Sequence, residues 1–518
     1  MTSKLINQLC LIFFISLFLG CKSEKNYSSK NPNIIIIYTD DLGYGDVSAY
    51  SKGTLNTPNI DKLANEGIRF NNGYASSATC SPSRYALLTG TYPWRKTDLR
   101  VITGGSLVID TTEITIPKIL KNKGYHTGIV GKWHLGLGSG DGVAGSGIID
   151  YNSYISPGPN QVGFDYSHIM PDTQDRVPTV YIENGNVVNL DPDDPIDVNF
   201  FHQNKHDDYG LPTGLKNPEL TSMKWHHGHN GSIVNGVPRI GYMKGGEKAL
   251  WSDIDMADHF LIKAQEYIKE NKDNPFFLYL PFVEPHVAMH PPQEWIDRYP
   301  KEWDQEKGPY RGQNGYLPHP RPRAGYAAMI SDLDEHVGTI LQRLKKHGLD
   351  ENTIVVFTSD NGTTHPSRDP KFHVGGVDAP FFNSTAGLRG WKGSVNEGGI
   401  RVPAIVRWPG KIEAGSTTSA PSYFPDWFPT LCKAARVKIP KNLDGSDLTP
   451  ALTKKSFERS KPMIWEFHGY GGQLAVIDFP WKAVRQKAKS KKPGKWELYN
   501  IRKDPAEGND LAKQHPEI

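Results

Sequence analysis

Residues 78–90 read Ala-Thr-Cys-Ser-Pro-Ser-Arg-Tyr-Ala-Leu-Leu-Thr-Gly, which puts Cys80 four residues ahead of Arg84. The stretch from Tyr85 reads as a short helix closed by Gly90. A helix N-terminus beside a guanidinium makes an anion site and would stabilise a negative nucleophile. The bland alternative is a cysteine and a proline in a tight turn before a helix. Two further clusters carry oxygen chemistry. Asp40-Asp41 follow the run Ile-Ile-Ile-Ile-Tyr-Thr, and Asp360-Asn361-Gly362 follow Thr-Ile-Val-Val-Phe-Thr-Ser. Three carboxylates and an amide, with no Cys or His pair at zinc spacing nearby, suit Ca²⁺ or Mg²⁺. Asp and Asn also punctuate turns after strands. Adjacent carboxylates at the end of a buried strand repel unless a cation lies between them, which favours the metal.

Cysteine usage sharpens the question about Cys80. The chain has four cysteines in 518 residues, at 10, 21, 80 and 432. Lys4, an apolar run over about residues 9–19 and then Gly20-Cys21 form a segment too short to span a bilayer, of the kind that directs export. A small residue before Cys21 resembles the end of a bacterial lipoprotein signal, with Cys21 as the lipidated first residue of the mature chain and residues 21–31 as a polar tether. Simple secretion stays open. Cys432, in Phe-Pro-Thr-Leu-Cys-Lys-Ala-Ala, reads as a small buried apolar residue on a helix. A Cys80–Cys432 disulfide is the less favoured reading, so Cys80 needs another explanation.

The elements that must hold these groups are legible as alternation. Residues 33–38 are an unbroken β-branched run, as in a parallel strand buried on both faces. Helical and apolar strand patterns then alternate: a helix over 59–66, 116–123 before 127–130, 253–270 before 276–280, and 324–346 before 353–358. This predicts an α/β fold with a central, mainly parallel sheet flanked by helices. In such sheets ligands bind beyond the carboxyl ends of the strands, so both acidic clusters are expected at one edge. Residues 136–246 are rich in Gly, Asp, Asn, His and aromatics and read as substrate-site loops inside a catalytic domain over 32–420. A helix at 424–435 and short strands near 463–467, 474–478, 481–485 and 496–500 predict a small C-terminal α+β unit over 421–518. The basic cluster at 487–495 reads as a solvated hairpin loop. Net charge is +3, without a basic stripe, which argues against nucleic acid.

Cys-Ser-Pro-Ser-Arg-Tyr-Ala-Leu-Leu-Thr-Gly matches the Cys-x-Pro-Ser-Arg-x-x-x-Leu-Thr-Gly signature of the type I sulfatases, of the alkaline-phosphatase-like superfamily. Residues 124–134, Gly-Tyr-His-Thr-Gly-Ile-Val-Gly-Lys-Trp-His, match its second signature. The resemblance continues in order through residues 39–46, 275–286, 355–362, 388–410 and 496–511. It implies that Cys80 is oxidised after translation to Cα-formylglycine, whose hydrate is the nucleophile, by a formylglycine-generating or sulfatase-maturing enzyme that recognises Pro82 and Arg84. It implies one Ca²⁺, with Mg²⁺ less favoured, held by Asp40, Asp41, Asp360 and Asn361 with the formylglycine. Arg84 would hold the hydrate, Lys132 and His134 would contact hydrate and sulfate, and His286 and Lys392 would bind sulfate and help protonate the leaving alcohol. A covalent sulfate would form on residue 80, and the second hydroxyl of the hydrate would expel it.

Arg176, Trp225, His226, His227 and His229 are candidate substrate-binding residues, since the family's variable middle region shapes the sugar pocket. Arg176 also reads as a loop ion pair. The expected activity is hydrolysis of sulfate esters on a glycan, with algal polysaccharides such as ulvan or carrageenan and host glycosaminoglycans all in range. A phosphonate or phosphodiester hydrolase of the same superfamily and a catalytically silent glycan-binding lipoprotein are the alternatives. The expected location is the cell envelope, through a lipid on Cys21, with a periplasmic or secreted protein as the alternative.

Overall fold

The computed structural model describes residues 31–96, 99–140, 149–200, 210–222, 229–304, 321–364 and 377–518. The export segment, Cys21, Trp225, His226 and His227 lie outside the described residues. The main strands are β1 (Asn33–Thr39), β2 (Ile68–Phe70), β3 (His126–Lys132), β4 (Tyr166–Met170), β5 (Ile182–Glu183) and β6 (Asn186–Val187). They continue with β7 (Phe276–Pro281), β8 (Thr353–Ser359), β9 (Ala404–Arg407) and β10 (Ser416–Thr418). Together these make one sheet in the order β10-β2-β9-β8-β1-β7-β3-β4-β5-β6. Its centre, β8-β1-β7-β3-β4, is parallel throughout. The predicted α/β architecture is therefore present, with antiparallel strands only toward the edges.

The main helices are α1 (Pro58–Asn65), α2 (Cys80–Thr89), α3 (Ile116–Lys121), α4 (Met256–Glu270), α5 (Pro322–Lys346) and α6 (Trp427–Ala434). The alternation of side chains along β1 explains why both faces of the sheet are covered. Ile34, Ile36 and Tyr38 enter a core shared with Leu87 and Leu88 of α2 and with Trp427, Phe428 and Leu431 of α6. Ile35 and Ile37 enter the opposite core with Phe260 of α4 and Ile330, Leu333 and Val337 of α5. Each such fully buried isoleucine stabilises the fold by about 1.5–3 kcal/mol.

A second sheet, of β11 (Met463–Phe467), β12 (Gln473–Asp478), β13 (Trp481–Arg485) and β14 (Trp496–Asn500), is antiparallel. Residues 486–495 join its last two strands, so the basic cluster does sit in a hairpin connection. The inner face of this sheet, including Trp465, packs with Tyr74 and Ala78 just ahead of α2. The Trp465 indole N–H donates to the Ala75 carbonyl at 2.9 Å. The small sheet thus braces the chain that delivers Cys80. Among the described residues no helix is long and apolar enough to cross a membrane.

Candidate active site

The helix carrying Cys80 begins earlier than the sequence suggested. Cys80 is itself the first residue of α2, Thr79 is the extended N-cap, and Gly90 closes the helix in the left-handed region at φ 69°. Pro82 does not delay the start, because a proline in the first turn lacks only an N–H that has no intrahelical partner. Cys80 and Cys432 are both buried free thiols, so the disulfide is absent.

Residues Thr39 and Ser359 are register partners on β1 and β8, so Asp40-Asp41 and Asp360-Asn361 leave the sheet side by side. The Asp41 N–H donates to Asp360 Oδ1 at 3.2 Å, and Asn361 Nδ2 donates to Asp41 Oδ1 at 2.7 Å. Asp41 adopts a left-handed φ of 65°, which turns the chain sharply off the strand. Lys132 ends β3 on the same edge and its ammonium donates to Asp40 Oδ2. Gly131 before it has φ 127°, and a Cβ there would lie 2.1 Å from the Pro281 carbonyl oxygen, so only glycine lets β3 approach β7 so closely. His286 follows β7, and its Nε2 lies 3.7 Å from Asp41 Oδ2. Lys392 arrives on a loop and donates to Asp41 at 2.7 Å.

Arg84 reaches the same group from the first turns of α2. It donates to Asp360 Oδ2 at 2.9 Å and to the Lys132 carbonyl at 3.1 Å, and it lies over the Tyr38 ring. The Cys80 thiol donates to Asp40 Oδ1 at 3.5 Å. All of these side chains are buried except that of Lys392, which is 17% exposed. Six charges therefore share one small volume, three carboxylates against Arg84, Lys132 and Lys392.

Their electrostatics follow from that crowding. Burial pushes Asp40 up, but Lys132, His286, Arg84 and Lys392 outweigh it and hold the carboxyl well below its ordinary range. Burial and the Asp40 charge raise Asp360 to about 7. Burial pushes the Cys80 thiol up, with the Asp360 charge adding to it. An unmodified Cys80 is therefore a neutral thiol, poorly suited to attack despite its arginine. Burial, with Lys132, Arg176 and Arg84, holds His134 well below the imidazole range. Its Nε2 lies 2.9 Å from the Ile102 carbonyl, so Nε2 carries the proton and Nδ1, which has no hydrogen-bond partner, keeps its lone pair. Burial likewise lowers His286 to about 4, against the opposing charge of Asp40.

The donor set fits a hard cation. Asn361 commits its amide hydrogens to Asp41 and Gly362, while its buried Oδ1 has no hydrogen-bond partner. A buried acceptor left open beside three carboxylates is what an oxygen-coordinated ion requires. Ligand atoms of Asp40, Asp41, Cys80 and His286 lie within 4.8 Å of one another, making this a candidate metal site.

Of the predicted substrate residues, Arg176 and His229 meet through a residue that the sequence did not single out. Asp175 accepts from His229 Nε2 at 2.7 Å and from Arg176 at 2.5 Å. The segment with Asp175 and Arg176 follows β4, and within it Thr173 Oγ1 lies 3.4 Å from His286 Nδ1. The polar run from Asp172 to Arg176 after a strand was the available signal.

Residues 32–437 match the sulfatase family, and residues 389–517 match the family described as N-sulphoglucosamine sulphohydrolase, C-terminal. The chain belongs to the sulfatase family. This sulfatase is 38% identical to an N-acetylgalactosamine-6-O-sulfatase of Bacteroides thetaiotaomicron, over 97% of this chain and 95% of that one. A solved structure from work on the metabolism of multiple glycosaminoglycans by B. thetaiotaomicron is also 38% identical, with a TM-score of 0.80 over 94% of this chain and 97% of that one. A sulfatase-fold neighbour, Ps i-CgsB, solved with k-i-k-neocarrahexaose, is 26% identical, with a TM-score of 0.66 over 94% of this chain and 90% of that one. The sulfatase is accordingly a sulfuric ester hydrolase, and its conjunction of Cys80, Arg84 and the acidic pairs is the candidate catalytic centre.

Proposed function

We propose that the chain hydrolyses 6-O-sulfate esters on a galactose-configured amino sugar of a sulfated glycan, with residue 80 as nucleophile after oxidation to Cα-formylglycine. The observation that carries this reading is the meeting of Cys80 with Arg84, Lys132 and Lys392 over buried carboxylates at one sheet edge. The 38% identity to an N-acetylgalactosamine-6-O-sulfatase supports the sugar and the position. The depth of the centre agrees with it, because a 6-O-sulfate hangs on a primary carbon outside the ring and reaches inward without the ring entering.

Asp40, Asp41, Asp360 and Asn361 would hold one Ca²⁺, which when bound supplies positive charge to the sulfate oxygens. The formylglycine hydrate supplies two hydroxyls on one carbon, one to attack sulfur and one to expel sulfate afterwards. Arg84, Lys132 and Lys392 are preorganised to stabilise the negative charge that builds on the sulfate oxygens. The free lone pair on His134 Nδ1 would accept a hydroxyl proton, and His286 and Lys392 would help protonate the leaving alcohol. Asp175 orients His229 and Arg176 toward the sugar. Export through the N-terminal segment, a lipid on Cys21 and prior encounter with a maturing enzyme complete the proposal.

Sulfate release from 6-O- and 4-O-sulfated N-acetylgalactosamine, alongside phosphodiester cleavage, tests it under one set of conditions. The 6-O-sulfate is expected to turn over fastest. Faster release from the 4-position, or faster phosphodiester cleavage, would overturn the reading. His229→Gln should raise KM for the sugar about tenfold, the loss of one hydrogen bond to a buried charged group, while sparing a small aryl sulfate.

A further inference from the structure

Helices α4 and α5 bring a second set of ligand-type side chains together behind the His286 turn. Asp332 and His336 are four residues apart on one face of α5, and Asp258 faces them from α4. His336 Nε2 lies 3.1 Å from Asp258 Oδ1 and 3.2 Å from Asp332 Oδ1. Ligand atoms of the three lie within 4.8 Å of one another. In a tetrahedral site with bonds of about 2.0–2.1 Å, neighbouring ligand atoms stand about 3.3 Å apart. Both distances from His336 Nε2 are already close to that.

The other imidazole nitrogen supplies the independent observation. His336 Nδ1 faces Glu284 Oε1 at 3.6 Å, and both atoms are buried without a hydrogen-bond partner. A ligating histidine characteristically directs its second nitrogen at an outer carboxylate, which fixes the tautomer and the ring. Phe282 stacks on the His336 ring and holds its plane. Asp332 and His336 are buried, whereas the Asp258 side chain is 58% exposed and gives an ion a way in from solvent.

We propose that Asp258, Asp332 and His336 form a second divalent-cation site, distinct from the Cys80 edge, with Glu284 as its outer carboxylate. One nitrogen with two carboxylate oxygens suits a first-row transition ion such as Zn²⁺ or Mn²⁺ better than Ca²⁺. Burial disfavours a charged ring at His336, yet Asp258, Glu284 and Asp332 outweigh it and raise the ring to about 10; a divalent ion takes the place of that proton. The Glu284 carbonyl accepts from the Asp40 N–H at 3.0 Å, and Glu284 lies two residues before His286. An ion here therefore pins the turn that carries His286.

The test is equilibrium dialysis of the full chain, saturated with Ca²⁺, against Zn²⁺ alone. A Co²⁺ titration, read by its visible absorption, reports coordination independently of activity. Wild type is expected to bind one ion that Asp258→Asn weakens at least tenfold and His336→Gln abolishes, with a tetrahedral Co²⁺ spectrum that both variants lose. Asp258→Asn lies at the surface and keeps the test sound should His336→Gln fold poorly. Binding that is unchanged in Asp258→Asn, or no Zn²⁺ bound by wild type, would overturn the proposal and leave a buried imidazolium ion cluster.

Discussion

Two of the buried charge clusters among the described residues differ in where they stand in the fold. At the Cys80 edge three carboxylates face Arg84, Lys132 and Lys392, and Asn361 Oδ1 has no hydrogen-bond partner. Beneath the small sheet, Lys482 bridges Glu397 and Glu507 at 2.8 and 2.9 Å, while Arg401 pairs with Glu397 at 2.5 Å. Tyr74 completes that second group with a hydrogen bond to Glu397 at 3.0 Å. Both clusters balance their charges. The second ties β13 to the segment that follows Lys392. The first stands at the carboxyl ends of parallel strands, with Cys80 beside it at the N-terminus of α2. Buried charge and an open acceptor therefore do not by themselves mark a candidate active site; the sheet edge beside Cys80 is what sets this one apart.

Breaking the first cluster should cost chemistry. Cys80→Ala is expected to lower turnover by ~10⁴-fold or more with unchanged thermal unfolding, as measured by sulfate release and calorimetry. Asp360→Asn should lower turnover by about a hundred- to a thousand-fold, the usual scale for removing one preorganised electrostatic group. The same variant gives a pH test. Asp360 is raised from 3.8 to about 7 by burial and Asp40, so in chelator its ionisation costs stability progressively as pH rises between those values. The melting temperature of Asp360→Asn relative to wild type should therefore climb between about pH 4 and pH 7 and level off above. Excess Ca²⁺ should reverse the sign by stabilising only the wild type.

Breaking the second cluster should cost stability instead. Arg401 and Lys482 outweigh burial and hold Glu397 below its ordinary value, so its contribution is present at neutral pH and lost as pH falls through that lowered value. Glu397→Gln is expected to destabilise by about 3–5 kcal/mol, read from denaturant unfolding, because it strands buried cations. Turnover of the folded fraction should stay within about threefold. The smallest effect belongs to the other cysteine. Cys432→Ala, in the core around α6, should cost about 1–2 kcal/mol and leave turnover unchanged.

What the sequence made legible divides along similar lines. The strands ending in Asp40 and Asp360 are continuous β-branched runs, and local pattern suffices to place their acids at one edge. Lys132, His134 and Lys392 were reachable through motif context, since an isolated lysine or histidine carries no signal of its own. The start of α2 is not legible because Cys-Ser-Pro-Ser looks like a turn, although its proline falls where a helix tolerates it. Asp175 escaped because its partnership with His229 spans 54 residues. The bridges from Glu397 to Lys482 and Glu507 span 85 and 110 residues, and tertiary packing alone brings them together.

On the function proposed above, Cys80 is a precursor, whose thiol is too deeply buried beside carboxylates to serve as the nucleophile. Mass spectrometry of the tryptic peptide spanning residues 70–84, from protein made in its native host, tests this directly. The account predicts a peptide in which the Cys80 CH₂SH group has become an aldehyde, in step with sulfatase activity. Active enzyme whose peptide carries only unmodified cysteine would contradict it.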